Sequence, residues 1–339
     1  MVTLKDIARE LNLSYSTVSL CLNSSERVSP ETMRRVKETA RRMGYAPNAR
    51  ARAFVRKQTQ LIGIVVPDIA NPFFSSITRG AEAVATDRDY RVMILNTDRR
   101  AELEGRHLRL VVEGQVDGLL VTSIDTRSSI LERILDEQFP LVFVNNPYPG
   151  RETSFAGADG FETGRIAATH LVELGHRAIA VAGVEPMTQF QRRLMEGFRH
   201  ALSEAGIPWD RAHRVDGEFS VTSGYETGRR ILERVPNATA VFAFDDLIAL
   251  GVMRALEERG RRVPEDVSLV GCDDVFLASL PRIELTTVRL HTEEMGRVAA
   301  QTLLAQIARR REGAEYRTER RTLPSELIVR RTTAPAKGR

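Results

Sequence analysis

Apolar residues recur with two different periods along this 339-residue chain, and the change of period divides it. Near the N-terminus Leu4, Ile7, Ala8 and Leu11 fall at i, i+3, i+4 and i+7, the spacing of one buried helix face. Asn12 and Leu13 make a short turn, and Ser14 stands where it can cap a second helix with Val18, Cys21 and Leu22 inward. Tyr15, Ser16, Ser19 and Leu20 fall on the opposite side of that helix. Ser29 and Pro30 open a third helix with Met33, Val36, Ala40 and Met43 inward, and Gly44 ends it. Beyond residue 60 the pattern becomes one of short β-branched runs: 61–66, 92–95, 118–121, 141–144, 178–182, 240–244 and 268–271. Stretches of helical periodicity separate them, among them 77–86, 161–174, 192–205 and 247–258. Alternation of this kind predicts parallel sheets covered on both faces. About 280 residues exceed what one such sheet needs, so two doubly wound lobes are predicted.

The first segment outlines a helix-turn-helix. A short second helix that turns a small polar set away from its core suits the major groove of DNA. Any three-helix bundle shares the inward stripes; the outward Tyr-Ser-Thr group and the N-terminal position favour a DNA reader. Charge agrees with this: residues 1–58 hold 12 Lys/Arg against 5 Asp/Glu, and the remainder holds 37 against 40. A basic head supplies the salt-sensitive attraction to phosphate that duplex binding needs. Asn48 then precedes ARARAFVRKQ, a stretch of helix length too short to be stable alone in water. Arg50, Arg52, Arg56, Lys57 and the unpartnered Phe54 suit a helix that forms on DNA and wedges its minor groove, with a basic linker as the alternative.

Several predicted strands end in polar or aromatic groups: Pro67-Asp68 with Asn71 to Phe74, Thr122-Ser123, Asn145-Asn146, Asp245-Asp246 and Asp273-Asp274. In open α/β sheets ligands sit beyond the carboxyl ends of the strands, so these groups suit a cleft for a small polar molecule. Turn chemistry or helix capping accounts for any one of them; their repetition at successive strand ends does not follow from it. No GxGxxG, GxSxG, HExxH or P-loop pattern occurs, and the six histidines are scattered, so no catalytic residue, metal site or cofactor is expected. Cys21 and Cys272 are far apart in apolar settings and are expected as free thiols in a reducing cytoplasm. The charged N-terminus lacks a signal-peptide pattern, and no apolar run reaches membrane-spanning length.

In the head, VTLKDIARELNLSYSTVS and RVSPETMRRVKETARRMGYAPN, and in the body IGIVVPDIANPFF, HLVELGHRAIAVAG, FAFDDLIALGVMRAL, VSLVGCDD, LTTVRLHTEEMG and LPSELIVRRTT, carry a resemblance. In these stretches, in order and at matching spacing over residues 2–333, the chain resembles the LacI/GalR family of transcription regulators. The resemblance implies an all-α helix-turn-helix head (1–46), a hinge helix or linker (47–59) and an α/β body like a periplasmic binding protein. The body would be one lobe at 60–159 and 290–321 and a second at 160–289 and 322–333, with a tail at 334–339. It further implies a cytoplasmic homodimer in which each head reads half of a pseudo-palindromic operator.

Carried over position by position, Tyr15, Ser16, Ser19 and Leu20 would face base edges. Leu4, Thr17, Asn23, Ser29, Thr32 and Tyr45 would touch the phosphate backbone, and Asn48, Ala51 and Phe54 the central minor groove. Members commonly carry arginine where Leu20 stands, so an altered half-site is expected, with an apolar neighbour such as a thymine methyl. The hinge lever is typically leucine; Phe54 is bulkier. Effector contacts would come from Phe73, Thr122, Ser123, Phe219, Asp245 and Asp273, an aromatic and acidic set suited to a sugar or sugar-like polyol. Two departures bear on that site. Asp245 replaces the usual Asn, and Leu194 stands where the effector arginine normally lies, leaving the flanking Arg192 and Arg193 as candidates if one reaches inward. Control by a phosphorylated carrier protein is the alternative within the family. A secreted solute-binding protein is the alternative outside it, disfavoured because it would need an export signal and would have no use for a basic head.

Overall fold

The structure, a computed structural model, describes residues 2–22, 28–45, 58–122, 128–210 and 213–337. Asn23, Asn48, Ala51, Phe54 and Ser123 lie outside the described residues. The chain forms two compact units, Met1–Thr59 and Gln60–Arg339.

The head comprises α1 (Leu4–Leu11), α2 (Tyr15–Leu22) and α3 (Pro30–Arg42). Thr3 and Asp6 cap α1 reciprocally: Thr3 N donates to Asp6 Oδ2 at 2.9 Å, and Asp6 N to Thr3 Oγ1 at 3.4 Å. Asn12, with φ 51, ends α1 in the left-handed conformation that Asn tolerates, which makes the turn into α2. Ser14 Oγ accepts from Thr17 N at 3.0 Å and Ser29 Oγ from Thr32 N at 3.3 Å, so each serine caps its helix as expected. Ile7, Ala8, Val18, Cys21, Val36 and Ala40 form the core, the three inward stripes meeting.

The body holds two six-stranded sheets. The first lobe contains β1 (Leu61–Val66), β2 (Arg91–Asn96), β3 (Gly118–Val121), β4 (Leu141–Val144), β5 (Phe155–Ala158) and, late in the chain, β11 (Arg320–Leu323). Its helices are α4 (Pro72–Thr86), α5 (Ala101–Val112), α6 (Ser129–Asp136) and the 20-residue α11 (Thr292–Arg311). The second lobe contains β6 (Ile179–Val184), β7 (Arg214–Gly217), β8 (Ala240–Ala243), β9 (Ser268–Asp273), β10 (Thr286–Arg289) and β12 (Glu326–Ile328). Its helices are α7 (Gly160–Glu173), α8 (Gln189–Glu204), α9 (Val221–Arg234) and α10 (Asp246–Glu258).

Both sheets repeat one doubly wound order, β2-β1-β3-β4-β5 and β7-β6-β8-β9-β10, with parallel neighbours throughout these runs. Alternate residues of β1 explain why the central strands read as unbroken apolar runs. Ile62, Ile64 and Val66 enter one core and Val65 the other, so both faces are buried. The chain passes between lobes after β5, after β10 and between β11 and β12. Thr163 Oγ1 and Ser325 Oγ hydrogen-bond at 2.8 Å, tying the first crossing to the last. Among the described residues no helix is long and apolar enough to cross a membrane.

Three helix pairs cross on mutual glycines. A Cβ on Gly164 of α7 would lie 1.9 Å from Leu194 O, and one on Gly197 of α8 1.8 Å from Phe161 O. Gly80 and Gly296 relate α4 to α11 in the same way, and Gly224 and Gly251 relate α9 to α10. Backbone here meets backbone, which cannot yield as a side chain would. Gly197→Ala is therefore expected to destabilise the body by about 2 kcal/mol or more. Urea unfolding followed through the single tryptophan, Trp209, edge-on to Phe198 at 6.0 Å, measures this. An unchanged midpoint would contradict the contact.

Candidate functional site

In the head, α2 turns Tyr15 and Leu20 to solvent, 54% and 38% exposed, with Ser16 also exposed and Ser19 half-buried. Thr17, Ser29 and Thr32 stand in the first turns of α2 and α3. Ser14 Oγ meets Ser16 Oγ at 2.7 Å and Thr17 Oγ1 at 2.8 Å, and Ser29 Oγ meets Thr32 Oγ1 at 2.9 Å. Amides and hydroxyls gathered at a helix start suit phosphate. Leu4 and Tyr45 are half-buried against the head's core. Arg34, Arg35 and Arg41 are exposed on α3, where they add to the positive field.

In the body a cleft with an empty volume of about 490 Å³, its open mouth included, lies between the lobes. The carboxyl ends of β1 to β4 contribute Pro67 and Asn71, Arg99, Thr122, and Asn145 with Asn146; those of β6 to β9 contribute Thr188, Phe190 and Gln191, Phe219, Phe244 with Asp245, and Asp273. In each lobe the strand order reverses beside β1 or β6, which opens a crevice at the strand ends for a ligand. The walls are aromatic, with Phe73, Phe74, Phe190, Phe219 and Phe244 all present. Asn71 caps α4, its Oδ1 accepting from Phe73 N at 2.9 Å, and this sets Phe73 at the wall. Asp245 caps α10 in the same way, its Oδ1 accepting from Ile248 N at 2.7 Å.

What the protein leaves unsatisfied defines the site. Among the described residues, Arg99 Nη2, Asn145 Oδ1, Asn146 Oδ1 and Asp245 Oδ2 are buried with no hydrogen-bond partner, and all four residues line the cleft. Buried polar groups are ordinarily paired, because each unpaired one costs about 1–3 kcal/mol. Arg99, Asn145 and Asp273 also hold positive φ, at 56, 62 and 116°. Strained non-glycine backbone gathered at one cavity points to function.

The acidic groups of the cleft crowd one another. Burial pushes the Asp245 carboxyl up to about 6, against the opposing pull of the α10 amides and the Arg99 charge. Asp246 is fully buried, its Oδ1 accepting from Thr287 Oγ1 at 2.6 Å and its Oδ2 from Val275 N at 2.9 Å. Burial pushes Asp246 up to about 8. Gly271 leaves the room it needs, since a Cβ there would lie 2.3 Å from Asp246 Oδ1. Asp273 is raised well above the carboxylate range by burial, then by its neighbours Asp245 and Asp246. Asp274 faces away between two guanidiniums, Arg330 Nη2 at 2.6 Å and Arg289 Nε at 2.7 Å, and this clamp fixes the turn that carries Asp273.

Of the sequence-predicted effector residues, the structure brings together Phe73, Thr122, Phe219, Asp245 and Asp273. Arg192 and Arg193 do not join them. Arg192 is exposed and donates from Nη1 to Met187 O at 2.5 Å. Arg193 pairs with Glu196 at 2.7 Å and lies over the Phe161 ring at 5.0 Å. Residue 194, which follows them, is a fully buried leucine, whose backbone is fixed against Gly164, so the helix cannot rotate either arginine inward. The guanidinium of the cleft is Arg99, which sequence reasoning missed. Its signal was its place just beyond the apolar run ending at Leu95.

Comparison with known proteins matches residues 3–48 to the family described as bacterial regulatory proteins, lacI family, and residues 168–333 to the periplasmic binding protein-like domain. The chain is 34% identical over 337 residues to the HTH-type transcriptional regulator DegA of Bacillus subtilis, covering 98% of each chain. It is 35% identical over 338 residues to the HTH-type transcriptional regulator CelR of Thermobifida fusca, covering 97% of each. Among solved structures, the lac repressor dimer bound to operator and the anti-inducer ONPF matches with a TM-score of 0.85 at 26% identity, over 98% of this chain and 99% of that one. A CelR–cellobiose complex matches at 0.74 and 30% identity, over 98% and 100%. A ribose-bound LacI family regulator from Enterococcus faecium matches at 0.73 and 30% identity, over 82% and 100%.

The buried acids set a pH dependence. In the unfolded chain Asp246 ionises near 3.8, so between that pH and about 8 the folded chain keeps a proton the unfolded chain has lost. Its contribution to stability is full below the unfolded value and is lost as pH rises toward the folded one. Asp246→Asn, neutral throughout, is expected to fall less in stability than the parent between about pH 5 and 8. Urea unfolding at both pH values measures this, and parallel declines would contradict the assignment.

Proposed function

The chain belongs to the lacI family of bacterial regulatory proteins, and from that we propose that it is a cytoplasmic transcriptional repressor whose operator affinity is set by a small sugar or sugar-like effector. It acts as a homodimer on a pseudo-palindromic operator, and by binding rather than by catalysis. The observation that carries the reading is the interlobe cleft, with its aromatic wall and four unsatisfied polar groups, in a chain whose head turns a tyrosine and serines outward from α2. Aromatic faces suit the apolar face of a sugar ring, and the paired acids suit its hydroxyls. The cellobiose and ribose bound to matching structures support the ligand class. The operator-bound dimer that matches over the whole chain supports the DNA reading.

Tyr15, Ser16, Ser19 and Leu20 are assigned to base edges, and Leu4, Thr17, Asn23, Ser29, Thr32 and Tyr45 to phosphates. Asn48, Ala51 and Phe54 are assigned to the central minor groove, and Phe73, Thr122, Ser123, Phe219, Asp245 and Asp273 to the effector. Phe276, Leu280 and Val221 on the second lobe and Ile94 on the edge strand β2 are exposed apolar groups, 65%, 40%, 40% and 47% exposed, that a second copy can cover. Twofold symmetry then presents two heads to two half-sites. A ligand that prefers one lobe arrangement shifts the operator equilibrium by its difference in affinity for the two arrangements.

Selection of bound duplexes from a random pool by the full-length protein tests the reading. Enrichment of a palindrome of roughly 14–20 base pairs is expected, and failure to enrich any sequence, with or without a metabolite extract, would overturn it. On the selected duplex Tyr15→Ala is expected to lower affinity by roughly 10-fold or more while affinity for unrelated DNA stays the same. Equal affinity of the two proteins would remove α2 as the reading helix.

A further inference from the structure

A second cavity, with an empty volume of about 590 Å³, its open mouth included, lies within the first lobe, away from the interlobe cleft. It sits at the amino ends of the strands, between the turn that leads into β4 and the turn that follows α11. Glu137 and Gln138 form one wall, Arg309, Arg310 and Arg317 the other, and Tyr316 lies with the buried Gln306 at the floor.

The three arginines have no carboxylate partner among the described residues. Arg309 donates from Nε and Nη2 to Glu315 O at 3.1 and 3.0 Å. Arg310 donates from Nη1 to Gln138 O at 3.1 Å, and its guanidinium carbon lies 5.4 Å from the Phe139 ring centroid. Carbonyls and a ring fix these groups in place and leave their charge whole. Arg317 makes neither hydrogen bond nor ion pair among the described residues. Glu137, the one carboxylate of the lining, is taken by Arg133 Nε at 2.8 Å. At the floor Gln306 Oε1 accepts from Leu141 N at 3.0 Å, and Nε2 donates to Ser154 Oγ at 2.6 Å and to Tyr316 Oη at 3.5 Å. Tyr316 therefore accepts within the protein and keeps its own proton to give. Complementing the α11 dipole explains a basic last turn, as where Arg311 pairs with Asp117 at 3.3 Å. It does not explain Arg317, which stands beyond the helix end and past the left-handed Gly313 that closes it.

We propose that this cavity binds the phosphate group of a small phosphomonoester, at a site separate from the effector cleft. Three guanidiniums and a phenol present donors from more than one side, which suits the tetrahedral oxygens and double charge of a phosphate better than the two coplanar oxygens of a carboxylate. Duplex DNA also carries phosphates, but exposed Asp87, Asp89, Glu113, Glu312 and Glu315 share this end of the lobe. Positive charge is thus confined to the cavity, which fits a compact anion and not a long polyanion. The helix that supplies Arg309 and Arg310 begins at the crossing near His291, so a bound phosphate holds the far end of the element on which that crossing is mounted.

The test uses the full-length protein and glycerol 3-phosphate, with glycerol, inorganic phosphate and random-sequence duplex DNA as comparisons, all at one ionic strength. Calorimetry measures binding, and hydrogen–deuterium exchange of 137–141 and 309–317 locates it. Millimolar glycerol 3-phosphate is expected to protect both segments and glycerol neither. Arg310→Gln with Arg317→Gln should weaken binding by about 10-fold or more, since hydrogen bonds to a charged group are lost. Unliganded melting curves establish that the variant folds, and Arg317→Gln alone, which removes no contact within the described protein, should weaken binding in the same direction. Absence of protection by glycerol 3-phosphate, or equal binding by the double variant, overturns the site. Protection by inorganic phosphate alone overturns the phosphomonoester class, and protection by duplex DNA alone overturns the small-molecule source.

Discussion

Two largely parallel sheets that approach each other by the carboxyl ends of their strands cannot satisfy one another. Each strand end delivers a loop, each loop delivers polar groups, and across the cleft those groups have no ladder to join. Four buried atoms without partners are the result. The surrounding features follow from holding them in place: capping of α4 and α10 by Asn71 and Asp245, positive φ at Arg99, Asn145 and Asp273, and the Asp274 clamp. Most of the carboxyl groups gathered there are tolerated by staying protonated or by pairing with arginine. The cost of leaving a site unsatisfied is recovered only when a ligand enters, which is why the cleft rather than any surface feature defines what the body does.

The same geometry makes the site a coupler. The chain crosses between lobes three times, at short stretches near Asp159, His291 and Ser325. Backbone at such crossings can absorb a change in lobe arrangement while each sheet stays rigid, its strands buried on both faces and its helices locked by glycine crossings. Ligand binding energy drawn from both lobes is therefore converted into a preference for one arrangement. A preference of about 1–3 kcal/mol is enough to change operator affinity several-fold to a hundredfold.

Much of this was readable in the sequence because burial on both faces writes itself as uninterrupted apolar runs. The strands from Leu61, Gly118, Leu141, Ala240 and Ser268 announce themselves in this way, as do the helix stripes of the head. β5, with the sequence FAGA, β7, with RVDG, and β10, with TTVR, do not, because a short strand with small or charged residues is indistinguishable from a loop until its neighbours are placed. The acids of the cleft were visible as polar pairs at strand ends. Arg99 was not, since an arginine after a strand reads as a solvated turn unless the second lobe is known to close over it. Arg192 and Arg193 misled for the converse reason: sequence proximity to a motif says nothing of which way a helix face points, and Leu194 owns the inward face here. The glycine crossings were hidden too, because a glycine inside a helix looks like a lapse in propensity until the partner backbone lies against it.

The claim that cleft and head are two ends of one equilibrium is tested most directly by operator affinity. The dissociation constant of the full-length protein for its selected duplex is measured without ligand and with a saturating concentration of whichever sugar binds the cleft. A change of about 5- to 150-fold in either direction is expected. Identical operator affinity with the cleft empty and filled would contradict it, however tightly the sugar and the DNA were each bound.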